Sequence, residues 1–193
     1  MGETAADVRI LRESLKDIPE PVANPVFILV CGLPGAGKSY FSRKLVEKLP
    51  GTIVESDAMR RSLWQSPTHS AQESHRLFSA LYVLIEDLLR GGITVVHDAT
   101  NLLEQHRERL YKICERLRVK IIIVWVQAPR ETILERMQGR AMGVDPMDSS
   151  EADWSVYERM KTRVERIRRS YFAVDTSHDI GPVINKIVRE AKR

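Results

Sequence analysis

The stretch Val26-Phe27-Ile28-Leu29-Val30-Cys31-Gly32-Leu33-Pro34-Gly35-Ala36-Gly37-Lys38-Ser39-Tyr40 decides the fold. Its first six residues are apolar and half of them β-branched. They read as a strand buried on both faces, because a sheet covered on one face alternates apolar with polar residues. The next eight match G-x-x-x-x-G-K-[ST], and the run from Gly37 to Leu49 reads as a helix. In a strand–turn–helix context such glycines let backbone N–H groups turn inward around a phosphate, and the helix N-terminus adds partial positive charge. Lys38 is then placed to reach β and γ phosphates, and Ser39 to ligate Mg2+. Gly32, Leu33, Pro34, Gly35, Ala36, Gly37, Lys38, Ser39 and Tyr40 are the expected nucleotide contacts. The guanine-reading pattern Asn-Lys-x-Asp is absent, since Asn185-Lys186 runs into Ile187-Val188. ATP is therefore the expected triphosphate.

Working outward, apolar strand-like runs alternate with amphipathic helical patterns. Strands are expected over Val26–Cys31, Thr52–Glu55, Ile93–Val96, Val119–Val126 and Phe172–Val174. Helices are expected over Gly37–Leu49, Gln72–Arg90, Leu103–Leu117, Glu131–Met142, Ser150–Arg169 and Val183–Ala191. Strands separated by helices imply right-handed crossovers and a parallel sheet. The expected fold is a three-layer α/β sandwich with five parallel strands and a helical lid. Ligands of such sheets bind beyond the carboxyl ends of the strands, so the polar residues there are the candidates for chemistry.

After the second strand comes Ser56-Asp57-Ala58-Met59-Arg60-Arg61. Asp57 reads either as a helix N-cap or as the base that takes the proton of an attacking hydroxyl. Beside a phosphate loop the second reading is the one adopted. Arg60, three residues on, shares a helix face with Asp57 and suits an anionic acceptor. The third strand runs into His97-Asp98-Ala99-Thr100-Asn101. Asp98 suits a Mg2+ or metal-water ligand, whereas Thr100 and Asn101 either position the acceptor or cap the next helix. His97 reads as a packing residue. Arg136 and Arg140, four apart, project from one helix face and suit phosphate clamping in a lid of about residues 130–155. Trp64, Trp125 and Trp154 read mainly as packing residues.

The chain has 193 residues with 43% hydrophobic and 29% charged side chains, ordinary for a globular protein and long enough to bury a core without staples. No run approaches the roughly 18 apolar residues that span a bilayer, and no signal peptide is visible, so a cytoplasmic, non-membrane protein is expected. Cys31 and Cys114 lack metal-ligand spacing and read as buried thiols. Net charge is +4, and residues 155–193 hold ten Lys or Arg against five Asp or Glu. That surplus permits an anionic partner but also fits a solvated face. Residues 1–25, with Val8, Leu11 and Leu15 on one stripe before three prolines, read as an appendage to a domain over 26–193.

Together GLPGAGKS, SDAMR, VVHDATN followed by Arg107, ERMQGR and YFAVDTSHDI resemble small P-loop kinases of the polynucleotide-kinase and zeta-toxin type, from Val26 to the C-terminus. The resemblance implies strand order 2-3-1-4-5 and Mg2+-ATP as the working cofactor. It implies Lys38, Asp57, Arg60, Arg136 and Arg140 as catalytic residues, with Asp57 the general base and Arg60 on the acceptor side. It further implies Ser39 and Asp98 at the metal; the residues expected around the acceptor are Asp57, Arg60, Asp98, Thr100, Asn101 and Arg107. Tyr40 departs from the Thr or Ser usual in polynucleotide kinases. The expected activity is transfer of the γ-phosphate of ATP to a hydroxyl, a polynucleotide 5′-hydroxyl being the most explicit acceptor. A small metabolite or antibiotic acceptor, or an ATP-driven switch, are the alternatives.

Overall fold

A computed structural model describes residues 2–141 and 153–193. Helix α1 (Gly2–Ser14) leads through the proline segment to β1 (Val26–Cys31), α2 (Lys38–Val46), β2 (Thr52–Glu55), α3 (Ser56–Leu63) and α4 (Ala71–Arg90). Then follow β3 (Val95–Asp98), α5 (Glu104–Leu117), β4 (Lys120–Gln127), α6 (Arg130–Ala141), α7 (Trp154–Lys161), β5 (Phe172–Asp175) and α8 (Gly181–Ala191). The five strands are parallel in the order β2-β3-β1-β4-β5.

The period-2 pleat of β1 divides its apolar run between two cores. Phe27, Leu29 and Cys31 join Leu11 of α1, Met59 of α3 and the apolar stripes of α4 and α5 on one face. Val26, Ile28 and Val30 join Phe41 and Leu45 of α2 and Ile184 and Ile187 of α8 on the other. Leu11 is wholly buried, so the N-terminal helix contributes to the first core as well as preceding the sheet. Burial pushes the thiols of Cys31 and Cys114 up to about 12, which leaves both as inert packing groups.

Two expectations change. The third strand lies two residues later than its apolar run, so that Asp98 is its last residue, in register with Val30 and Glu55. The long helix expected over 150–169 is the short α7 followed by an irregular strap. The reason is Arg107. Its Nη2 donates to the carbonyls of Glu165 and Arg166 at 2.9 and 3.2 Å, and the Glu165 amide donates to Leu102 O at 3.0 Å. Those carbonyls and that amide serve tertiary partners, and the strap runs on to β5 without regular structure.

Candidate active site

The phosphate loop is held by its own glycines and by the sheet edge. Gly32 has φ +150° and a Cβ there would stand 2.3 Å from Val126 O, while Gly37 has φ +87° and its Cβ would meet Thr176 Oγ1 at 2.9 Å. No side chain fits either position. Gly32 donates its N–H to Thr100 O at 3.0 Å, and Asn101, at φ +48°, donates its side-chain amide to Val30 O at 2.7 Å. The β3–α5 loop thus buttresses the start of the phosphate loop. Asn101, expected at the acceptor, spends this buried amide on the fold. Lys38 Nζ donates to Leu33 O at 3.1 Å across the loop, and Tyr40 stands exposed on its rim.

Asp98 is buried behind this loop on the α2 side. Burial raises its pKa, and the Asp57 charge also raises it, against Lys38 and a hydrogen bond from Ser39; the net direction is upward. Its Oδ2 and the nearby Ser42 Oγ are buried without a hydrogen-bond partner. An orphaned carboxylate oxygen beside the Ser39 hydroxyl is the donor chemistry a Mg2+ ion takes, so Ser39 and Asp98 fit the metal expected there. Among the described residues no group of three or more His, Cys, Asp or Glu side chains forms another metal centre.

Asp57 lies in the first turn of α3, half-buried, directly after β2. β2 neighbours β3, so the two carboxylates share one sheet edge and Asp57 is felt at Asp98. Arg60 is not a surface charge: it is 6% exposed. Its Nη2 donates to Ser74 Oγ at 3.2 Å and its Nη1 lies 3.5 Å from Glu73 Oε2. Nε and Nη1 have no hydrogen-bond partner. Burial acts to raise Glu73, but hydrogen bonds from Thr68 and His69 and the charge of Arg60 hold it below the usual carboxylate range. Glu73 and Ser74 were not singled out from the sequence; the S-x-x-E pattern at Ser70–Glu73 was the available signal.

Arg107 corrects the expected acceptor set. It is wholly buried, and all five donors are spent: Nε on Glu104 at 2.7 Å, Nη1 on Asn101 O and Leu102 O at 2.7 and 2.8 Å, Nη2 on Glu165 O and Arg166 O. A guanidinium has no sixth N–H to offer a ligand, so Arg107 ties the β3–α5 loop to the strap. His97 is likewise internal, with its ring stacked on Phe27 and a hydrogen bond to Val54 O at 3.1 Å.

Helix α6 closes onto the loop from the other side. Ile133 and Met137 pack over Gly35 and Leu33. Arg136 donates to Thr176 Oγ1 at 2.8 Å and Thr176 O at 2.9 Å, and Thr176 Oγ1 donates to Ala36 O at 2.8 Å. Arg136 therefore stands against the phosphate loop. Arg140 falls on the same helix, but its side chain and the lid residues 142–152 lie outside what is described. Thr176, the residue that links α6 to the loop, was missed; its position just past β5 was the signal.

A protein of this kind is not without relatives. The chain is 23% identical over 169 residues to L-seryl-tRNA(Sec) kinase of Methanococcus maripaludis, covering 84% of this chain and 65% of the relative. It thus spans just under two thirds of that enzyme's length. It is 24% identical over 173 residues to thermosensitive gluconokinase of Escherichia coli K12, covering 84% of each. The fold matches the crystal structure of Chaetomium thermophilum Kti12 in complex with ADP-AlF3, with a TM-score of 0.68, 19% identity, and coverage of 85% of this chain and 96% of that one. A family model described as an AAA domain matches residues 27–167, and the chain belongs to that AAA-domain family.

Proposed function

We propose that this protein is a Mg2+-ATP-dependent phosphotransferase that moves the γ-phosphate to a hydroxyl, with Asp57 as the base. One observation carries the reading. Two carboxylates at one sheet edge, beside the phosphate loop, differ in environment: Asp98 is buried against Ser39, and Asp57 is half-exposed at the head of α3. The first suits a metal and the second an incoming substrate. A pure ATP switch has no use for the second. The kinases among the relatives agree with the class.

The acceptor hydroxyl binds beside Asp57 and gives its proton to that carboxylate as its oxygen bonds to the γ-phosphorus; the bond to the β-phosphate oxygen breaks and ADP leaves. Ser39 and Asp98 would hold a Mg2+ ion, which would neutralise phosphate charge. Lys38 and Arg136 do the same from the protein, with Arg140 as a second lid arginine. The Arg60 Nε, which has no hydrogen-bond partner, supports an acceptor that carries an anionic group near its hydroxyl. Thr100 frames the site through its backbone, and Asn101 fixes that loop.

A polynucleotide 5′ end is the acceptor we put first. Arg163, Arg166 and Arg168 are exposed on the strap that Arg107 pins beside the β3–α5 loop, and none has an ion-pair partner among the described residues. A small anionic metabolite is the second reading, supported by the gluconokinase relative. The test follows radiolabelled γ-phosphate into 5′-hydroxyl RNA and DNA oligomers and into D-gluconate, with wild type and Asp57→Ala. Label on an oligomer, lost in the variant, is the expected result. Label only on the small molecule removes the polynucleotide. Label appearing solely as free phosphate, equally in both proteins, replaces the kinase with a switch.

A further inference from the structure

The N-terminal helix lies outside residues 27–167 matched by the family model, yet it is fastened to the half of the site that faces the acceptor. It packs on α3 and α4. Leu11 is wholly buried in the same core cluster as Met59, and Met59 sits on α3 between Asp57 and Arg60. Ser14 Oγ lies 3.7 Å from Met59 Sδ.

The charged fastening is stronger. Asp7 is 1% exposed and accepts two hydrogen bonds from Arg76 of α4, from Nε and Nη2, each at 2.7 Å. Arg76 Nη1 meets Glu3 at 2.6 Å, and its guanidinium lies over the Trp64 ring, 5.5 Å from the centroid, at the end of α3. One side chain thus joins α1, α4 and the residue that caps α3. Bidentate pairs of this kind fix geometry as well as charge. Two residues before Arg76, Ser74 holds Arg60; Glu73 holds it as well.

We propose that α1 is a clamp that sets the position of the α3–α4 arm, with Asp7 and Arg76 as positioning residues for Asp57 and Arg60. The proposal rests on the reading of Asp57 as the base. Among the described residues Asp7 and Arg76 make no hydrogen bond or ion pair to the phosphate loop, so the clamp governs the transfer step and leaves nucleotide binding alone. Loss of the pair lets α3 drift from Asp98, and a small misplacement of a reacting group is costly in rate.

Water serves as the probe acceptor: on the reading of Asp57 as the base, it takes the place of the acceptor hydroxyl, bonds to the γ-phosphorus and gives its proton to Asp57 as ADP leaves. ATP hydrolysis is measured for wild type, Asp7→Asn, Arg76→Gln and Arg76→Lys, together with hydrogen exchange of residues 56–63. The expected result for Asp7→Asn and Arg76→Gln is a kcat lowered about tenfold, the size of a typical coupling between sites. KM for ATP stays within about twofold on the same grounds, and exchange of α3 rises. Arg76→Lys, which keeps the charge but loses the planar fork, falls between and guards against a variant that does not fold. The clamp is overturned if kcat and α3 exchange stay at wild-type values, or if KM for ATP rises in step with the loss, which marks general loosening. Asp57→Ala separates the two readings. Undiminished hydrolysis in that variant, or none in wild type, sinks the base and the clamp with it. Hydrolysis lost in Asp57→Ala but unchanged in Asp7→Asn sinks the clamp alone.

Discussion

The phosphate loop and the α3–α4 arm stand at the same edge of the sheet but are held by different means. The loop is shaped by its own backbone: positive-φ glycines, amides turned to neighbouring carbonyls, and contacts too close for a Cβ. The arm is shaped by side chains from distant segments, with Arg60 set against Glu73 and Ser74 and Arg76 against Asp7 and Trp64. A backbone-made site binds what every nucleotide shares. A side-chain-made site is free to differ, which agrees with relatives whose names span a sugar-acid kinase and a tRNA kinase.

Arg107 ties the β3–α5 loop that buttresses the phosphate loop to the strap, and removing it is the hardest test of the contrast. Arg107→Ala strands Glu104 and four carbonyls, and breaking a buried ionic group costs about 3–5 kcal/mol. The expected outcome is a large fall in melting temperature that bound acceptor does not offset; a variant of normal stability with a selective loss of acceptor affinity returns Arg107 to the binding set. Gly32→Ala attacks the loop alone. Its Cβ would press on Val126 O, a backbone strain of about 3 kcal/mol. Affinity for a fluorescent ATP analogue should drop while hydrogen exchange in α4 stays at wild-type values; matching increases in both regions would erase the distinction drawn between them.

His97 ties β3 to β2, at the root of the arm. Burial lowers its pKa from 6.5 to about 4, against the hydrogen bond to Val54 O, which raises it. Between those values the unfolded chain binds the proton and the folded one does not. The contribution of His97 to stability is therefore complete above pH 6.5 and is lost as pH falls toward 4, by up to about 3 kcal/mol. Denaturation midpoints across that range should flatten in His97→Asn; an unchanged slope assigns the loss to other groups. The smallest effect belongs to Ser70, whose Oγ accepts from the Glu73 amide at 3.2 Å to cap α4. Ser70→Ala should cost about 1 kcal/mol and weaken the arm without touching ATP affinity, read by thermal melting and nucleotide titration.

Most of the fold was legible in local pattern. The apolar runs gave the strands and the glycine-rich turn gave the loop; Lys38 and Ser39 follow β1, Asp57 follows β2 and Asp98 closes β3. The β3 boundary moved because Asp98 reads as a turn residue although the ladder carries it beside Val30. The helical pattern over 150–169 does not persist beyond Lys161 because Arg107, distant in sequence, takes the Glu165 and Arg166 carbonyls. Arg107 differs from its expected place for the same reason: an arginine has the same letter whether its donors meet a ligand or five internal acceptors.

What the sequence determined by itself was therefore everything that depends on neighbours along the chain: pleat, helical stripe, the glycine cradle and the carboxylates at strand ends. Those follow from backbone sterics and a period of two or 3.6, which need no partner from afar. The tertiary structure decided which charged side chains are spent and which are free. Burial makes that choice, because a guanidinium or carboxylate taken out of water must find its partners wherever the fold brings them. So Arg107 became a strut, Arg60 was set against Glu73 and Ser74 with its Nε left without a hydrogen bond, and Asp7 of the N-terminal helix came to hold the arm that carries Asp57.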